Sequence, residues 1–142
     1  MTAVRTAAAH WEGSLLEGKG QVTLESSGLG TYDVTWAART EDTASGRTSP
    51  EELIAAAHSS CFSMAFSNAL AKAGTPPTTL DTRADVTFVP GKGITGIKLS
   101  VRAAIDGISA EDFQKAAEDA KVNCPVSQAL KGTEITLEAE LA

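Results

Sequence analysis

The order of hydrophobic and polar positions along the chain predicts strands first and a long helix after them. In the first forty residues hydrophobic side chains fall at every second position, and glycines mark the turns between the runs. The alternating residues are Val22, Leu24, Tyr32, Val34 and Trp36. Two or three antiparallel strands are expected here, and the stretch 40–48, rich in Asp, Thr, Ser and Gly, predicts a loop.

A helix is predicted to start at Ser49, which is suited to be its N-cap. Pro50 fits the first helical position, and Glu52 completes a capping box. Residues 53–71 are apolar or small on nearly every face, and Gly74 ends the run. A helix of this kind must be buried on most sides. Six polar residues within it and the lack of flanking aromatic anchors argue against a membrane span, so it is expected to be a central core helix, completed by a second subunit.

Strand patterns return in the second half of the chain, at 81–89 and 94–105. The Pro-Gly-Lys-Gly segment at 90–93 predicts the turn of a hairpin. Alternation over 135–141 predicts a last strand. The whole pattern predicts an α+β fold with an antiparallel β-sheet, one long buried central helix and one surface helix.

The surface helix is predicted from Ser109, which can serve as its N-cap. Its apolar stripe has helical spacing and consists of Phe113, Ala116, Ala117 and Ala120. Because the residue before a proline avoids the helical region, Cys124 and Pro125 should interrupt this helix. A short new helix can then begin at Pro125, which places Cys124 at a helix N-terminus.

Length and charge limit the functions that are open to the chain. Its 142 residues and 42% hydrophobic content predict a single domain over 1–142. Twelve basic and eighteen acidic residues give 12 − 18 = −6, the wrong sign for a nucleic-acid partner. The N-terminal segment 1–13 lacks the apolar run of a secretory signal, so a cytoplasmic protein is expected.

The two cysteines carry most of the candidate chemistry. In the cytoplasm they are kept reduced, which favours a catalytic, redox or metal role over a structural disulfide, although a free cysteine can also be a small buried hydrophobe. A helix N-terminus is one of the settings in which cysteines are reactive, and Cys124 has it from its position. Cys61 lies in the middle of an apolar helix, where burial would raise its pKa. Its activation would need a cation brought from elsewhere in the fold.

Arg39 is one candidate for that cation, since it is expected to end a strand and open the loop before the central helix. The alternative is a solvated surface arginine. Glu51 is a first-turn acid that the capping box does not use. It is ten residues from Cys61 on one helix, ~15 Å along the axis, so the two cannot touch within one chain. If both belong to one site, a second subunit must bring its helix alongside across a two-fold axis.

A zinc site is the competing chemistry. His58 and Cys61 share a helix face, and Cys124 and His10 would complete four ligands, but these two have no motif spacing. The alternative for His58 is a hydrogen-bonded core histidine. The sequence contains no Gly-rich phosphate loop, nucleophile elbow or His-Glu metalloprotease helix.

Two segments resemble the OsmC/Ohr family, the osmotically inducible and organic hydroperoxide resistance proteins. They read SPEELIAAAHSSCFSMA at 49–65 and NCPVSQAL at 123–130. The likeness extends over nearly the whole chain, from AHWEG at 9–13 to the last strand. The resemblance implies an OsmC-like fold and an intertwined homodimer with two active sites at the subunit interface.

The resemblance also implies roles for individual residues. The peroxidatic cysteine corresponds to Cys61, the resolving cysteine to Cys124, the acidic site residue to Glu51 and the activating arginine of the OsmC branch to Arg39. The Ohr branch takes its arginine from a glycine-rich N-terminal loop. No arginine occurs around 28–30, so the chain is more similar to the OsmC branch.

The implied function is a thiol-dependent peroxidase of the oxidative or osmotic stress response. It would reduce organic hydroperoxides, with hydrogen peroxide as a further candidate, through a Cys61 sulfenic acid and a disulfide between Cys61 and Cys124. An external dithiol, of lipoyl type in the family, would reduce that disulfide. No metal, haem or flavin cofactor and no membrane partner are implied. The alternatives are a non-catalytic OsmC-like protein that binds hydrophobic ligands and a metal-binding protein.

Overall fold

The structure is a computed structural model that describes residues 1–41 and 44–142. The chain forms two compact units, Met1–Leu53 and Ile54–Ala142. The sequence-based assignment of 1–142 to a single domain stays a prediction. Among the helices of residues 1–41 and 44–142, none qualifies as a membrane span.

The first unit contains an antiparallel sheet of three strands, β1 (Ala7–Glu12), β2 (Lys19–Leu24) and β3 (Thr31–Val34), in that order. The strands predicted from the alternating pattern are therefore confirmed. Gly20 of β2 lies against the Trp11 ring, and a Cβ added to it would approach that ring to 2.7 Å. The absence of a side chain at this position lets the indole lie on the strand.

The strand prediction is wrong at Trp36, which begins a short helix, α1 (Trp36–Thr40). The cause is a cap: the Thr35 hydroxyl accepts a hydrogen bond from the Ala38 backbone N–H at 3.1 Å. Arg39 accordingly lies in the last turn of a helix and not at the end of a strand. Of the predicted loop 40–48, Thr40 belongs to α1 and Thr48 forms an isolated bridge with Val34. Positions 42 and 43 lie outside the described residues.

The long helix α2 (Pro50–Lys72) starts where the sequence predicts. The Ser49 hydroxyl accepts a hydrogen bond from the Glu52 backbone N–H at 3.1 Å, which confirms Ser49 as the N-cap. The second hydrogen bond of the predicted capping box, from the Ser49 backbone N–H to the Glu52 carboxylate, is replaced by another. The Glu52 carboxylate accepts a 2.6 Å hydrogen bond from the Thr48 hydroxyl, because that donor lies one turn before it.

Within this chain α2 buries one face, where the sequence predicted burial on most sides. His58, Phe62, Phe66 and Leu70 follow one another at intervals of four residues and are at most 1% exposed. Met64, on another face, is 72% exposed. Cover for the remaining faces from a second subunit stays a prediction.

The second unit contains the sheet β4-β5-β6, formed by β4 (Thr79–Val89), β5 (Gly93–Ala104) and β6 (Glu134–Leu141). The predicted hairpin is confirmed, since β4 and β5 are antiparallel. The prediction of an entirely antiparallel sheet is wrong for β5 and β6, which pair in parallel. The segment between them contains two helices, and such a crossover returns the chain to the end of the sheet from which β5 started.

The crossover consists of α3 (Ala110–Asn123) and α4 (Pro125–Ala129). Ser109 caps α3 as predicted, because its hydroxyl accepts a hydrogen bond from the Asp112 N–H at 3.1 Å. Phe113 lies on the buried face of α3, and its ring centroid is 5.8 Å from that of Phe66 on α2. The apolar side chains of α2, α3 and the second sheet thus form one hydrophobic core, which confirms the amphipathic surface helix.

Candidate active site

Cys61 projects from the middle of α2 toward the core of the second unit. It is partly buried and packs against the core cluster that includes Phe62 and Phe66. The helix places it one turn beyond His58, so both side chains lie on the same side of α2.

Cys124 occupies the junction between two helices. Its backbone N–H donates to the Ala120 carbonyl at 2.9 Å and ends α3, and its carbonyl accepts from the Gln128 N–H at 3.0 Å to start α4. The ψ angle of 123° is non-helical, as expected for a residue that precedes Pro125. The side chain is fully buried. The prediction that Cys124 stands at a helix N-terminus is therefore confirmed.

The fold brings the two cysteine thiols together, and both are free. Burial raises the pKa of the Cys61 thiol above its ordinary value; the backbone N–H of Val126 opposes this shift, and a hydrogen bond with Cys124 and repulsion from its charge add to it. Within this unit, then, the surroundings of Cys61 disfavour its thiolate, which agrees with the expectation that its activation needs a cation from elsewhere.

His58 and Ser127 form a second contact beside the thiols. His58 Nε2 lies 2.7 Å from Ser127 Oγ, and His58 is fully buried. Burial lowers the pKa of His58, so the ring is neutral at physiological pH. This agrees with the expectation of a hydrogen-bonded core histidine, but the sequence did not identify Ser127 as its partner.

Arg39 and Glu51 form a forked ion pair in the first unit. Arg39 Nε donates to the two carboxylate oxygens at 3.0 and 3.1 Å, and Nη2 donates to Oε1 at 2.7 Å. Glu51 is 7% exposed, and the guanidinium also lies 5.9 Å from the centroid of the Trp36 ring. The carboxylate thus fixes the plane of the guanidinium. The sequence missed Trp36, although the Thr35 cap is a recognisable signal for the helix that carries it.

The predicted residues therefore come together as two pairs, Cys61 with Cys124 and Arg39 with Glu51. Among the described residues, the four candidate zinc ligands do not form a group in the same way. His58 Nε2 is bonded to Ser127, and His10 Nε2 lies 3.2 Å from Glu12 on an exposed strand. Within 1–41 and 44–142, no group of three or more His, Cys, Asp or Glu side chains is arranged to hold a metal ion.

Known proteins resemble this chain over its whole length. It is 45% identical over 144 aligned positions to the protein named peroxiredoxin OsmC of Escherichia coli K12, with 99% of each chain covered. The peroxiredoxin OsmC of Shigella flexneri matches with the same identity and coverage.

Solved structures agree with this fold. An organic hydroperoxide resistance protein OsmC of Legionella pneumophila superposes with a TM-score of 0.67 at 22% identity, covering 99% of both chains. OhrB, the organic hydroperoxide resistance protein of Bacillus subtilis, gives a TM-score of 0.61 at 21% identity over 96% of this chain and 98% of its own. At this level of identity these two support the α+β fold alone. The family model for OsmC-like proteins matches residues 41–140, and together with the full-length relatives it shows that the chain belongs to the OsmC family.

Proposed function

We propose that this chain is a thiol peroxidase that reduces organic hydroperoxides, with Cys61 as the attacking thiolate and Cys124 as the resolving thiol. The observation that carries the proposal is the contact between these two free thiols, which lie far apart in the sequence. Full-length relatives named peroxiredoxin support the same reaction. A test is to measure the consumption of alkyl, lipid and hydrogen peroxides with several dithiols. We expect turnover with at least one organic hydroperoxide, and no consumption of any of them would contradict the proposal.

The reaction has two steps at sulfur. The Cys61 thiolate attacks the terminal oxygen of the hydroperoxide; the O–O bond breaks, the leaving alkoxide takes a proton and departs as the alcohol, and Cys61 becomes a sulfenic acid. The Cys124 thiolate then attacks the Cys61 sulfur. An S–S bond forms while the S–O bond breaks, and hydroxide leaves as water after it takes a proton. Two electrons pass from the thiols to the peroxide.

The first step needs a Cys61 thiolate, which burial in this chain opposes. The Arg39 guanidinium, held by Glu51, is a cation of the right kind to stabilise it. Because Glu51 and Cys61 are ten residues apart on α2, ~15 Å along its axis, one chain cannot unite them. A homodimer that sets two α2 helices antiparallel would bring Arg39 and Glu51 of one protomer to Cys61 of its partner.

The exposed face of α2 supports this dimer. Met64 is an apolar residue in the middle of α2, yet it is 72% exposed in the single chain. We predict an obligate homodimer, and light scattering at decreasing protein concentration should give the mass of two chains for as long as peroxidase activity is retained. An active monomer at low concentration would contradict it.

Replacement of Arg39 by alanine is predicted to raise the pKa of Cys61 further and to slow its reaction with peroxide. Removal of a cation that forms charge-assisted hydrogen bonds should cost on the order of 1.5–3 kcal/mol, or about 10- to 100-fold in rate at neutral pH. Arg39→Lys should recover part of the rate, since lysine lacks the planar fork. Thiolate titration of Cys61 checks the cause. An unchanged titration in Arg39→Ala would assign the activating role to another cation, such as Arg47.

The regenerating reductant is proposed to be an external dithiol of lipoyl type, in the cytoplasm, with no metal, haem or flavin in the cycle. A dithiol suits the chemistry because its first thiolate opens the Cys61–Cys124 disulfide and its second releases the mixed disulfide. At equal thiol concentration, dihydrolipoamide should therefore sustain turnover faster than a monothiol such as glutathione. Equal rates with both would contradict this choice of reductant.

A further inference from the structure

We propose that His58 and Ser127 are positioning residues for the second step, and that their hydrogen bond holds α4 where Cys124 can form a disulfide with Cys61. The inference rests on the proposed peroxidase function. The pair should affect the rate at which Cys124 forms the disulfide, and not the rate at which Cys61 attacks the peroxide. Neither side chain is proposed to touch substrate.

The bond joins two helices through the buried interior of the second unit. His58 Nε2 and Ser127 Oγ are 2.7 Å apart, although the two residues are 69 positions apart in the chain. His58 is fully buried and Ser127 is 5% exposed, so water cannot readily replace either partner. A hydrogen bond in such a setting restrains both elements more than an exposed one does.

The sequence spacing places the His58–Ser127 hydrogen bond next to the contact between the two thiols. His58 precedes Cys61 by three residues on α2, and Ser127 follows Cys124 by three residues at the start of α4. Three residues are close to one helical turn, so α2 places its two side chains on one face, where they contact Ser127 and Cys124. The two contacts are thus neighbours, and they join two segments, 58–61 and 124–127, that run in opposite directions.

Helix α4, which contains Ser127, has little stability of its own. α4 has five residues and no side-chain hydrogen bond at its N-cap. A helix this short is unstable in isolation and depends on its packing. A disulfide, however, requires Cα atoms about 4.4–6.8 Å apart with the correct torsion, so a displacement of ~2 Å is enough to prevent it. The His58–Ser127 bond can supply the missing restraint.

Stability alone does not explain a histidine at this position. Among the residues that the structure describes, the buried His58 Nδ1 has no hydrogen-bond partner, and such an atom is energetically unfavourable. An apolar side chain of similar volume, such as leucine, would fill the same space without this cost. The feature that leucine cannot reproduce is the bond to Ser127.

The test separates the two steps in single turnovers of the reduced, full-length wild type, His58→Leu, Ser127→Ala and the double variant. Cys61 oxidation is followed by peroxide consumption, and resolution by the rate of disulfide formation. We expect the first rate to stay within about twofold of wild type and the second to fall about tenfold, the factor expected for one buried hydrogen bond. More Cys61 sulfinic acid should then accumulate under excess peroxide, because the sulfenic acid lives longer. The double variant should be no slower than the slower single variant, since both remove the same bond.

Two further variants distinguish positioning from general loosening of the core. Thr82→Val removes another 2.7 Å side-chain bond to α2, from Ser63 to β4, and should leave the ratio of the two rates unchanged. His58→Gln retains a side-chain amide that can bond Ser127 and should recover part of the resolution rate. Equal slowing of both steps, additive effects in the double variant or a wild-type ratio in Ser127→Ala would overturn the inference; if His58→Leu does not fold, Ser127→Ala decides alone. A wild type that consumes no hydroperoxide would instead refute the proposed function.

Discussion

Replacing Cys61 with serine is expected to abolish hydroperoxide reduction, with a loss of about a thousandfold or more, as for removal of other enzyme nucleophiles. A hydroxyl is a far weaker nucleophile than a thiolate at neutral pH, and the remaining thiol, that of Cys124, is fully buried. Serine is close to cysteine in size, so the packing of this position against the hydrophobic core should survive. Turnover and the single-turnover burst should therefore be lost together. The measurement is peroxide consumption with and without reductant.

A matched control for this substitution is Ser67→Ala, a conservative change on the same helix α2. It should retain the activity of the wild type, and both variants should unfold at a denaturant concentration close to that of the wild type. If Cys61→Ser kept its burst of peroxide consumption while folded, Cys61 would not be the attacking residue. The attack would then fall to Cys124, at the start of α4.

Replacing Cys124 with serine is expected to have a different result, the loss of turnover with the first step preserved. The variant should consume about one equivalent of hydroperoxide per active site and then stall as a Cys61 sulfenic acid. A dimedone-type reagent should trap that species, and excess peroxide should convert it irreversibly to sulfinic acid. The serine also removes the thiol that raises the pKa of Cys61, so the first step should be no slower than in the wild type.

The mass of the trapped Cys61 adduct checks this prediction, with Cys61→Ser as the control that should not be labelled. Continued turnover in Cys124→Ser would mean that the dithiol reduces the sulfenic acid directly and that Cys124 has no resolving role. If neither cysteine variant changed peroxide consumption, the peroxidase proposal would fail. Both cysteines would then be small buried side chains.

The features that could be predicted from the sequence are those set by neighbours along the chain. Ser49 and Ser109 each cap the helix that follows, because a serine hydroxyl reaches the N–H three residues on. The residue before Pro125 breaks α3 for a similarly local reason. In both caps the serine side chain and the backbone N–H that it accepts from lie within one helical turn.

Contacts between segments that are distant in the sequence were harder to predict. The parallel pairing of β5 and β6 depends on the path of the crossover, which hydrophobic alternation does not encode. The bond between His58 and Ser127 joins positions with no shared motif. The proximity of Arg39 to Glu51 and of Cys61 to Cys124 was implied by family resemblance, since the residues alone favoured a solvated surface arginine and small buried cysteines.

Formation of the Cys61–Cys124 disulfide can be measured by titrating the reduced wild-type protein with one equivalent of an alkyl hydroperoxide, without added reductant. Peptide mapping by mass spectrometry under non-reducing conditions then locates the oxidised sulfur atoms. We expect one molecule of alcohol to be released per chain and one intrachain disulfide to form between Cys61 and Cys124. Alcohol release with both thiols still free, or hydroperoxide left unconsumed, would contradict it.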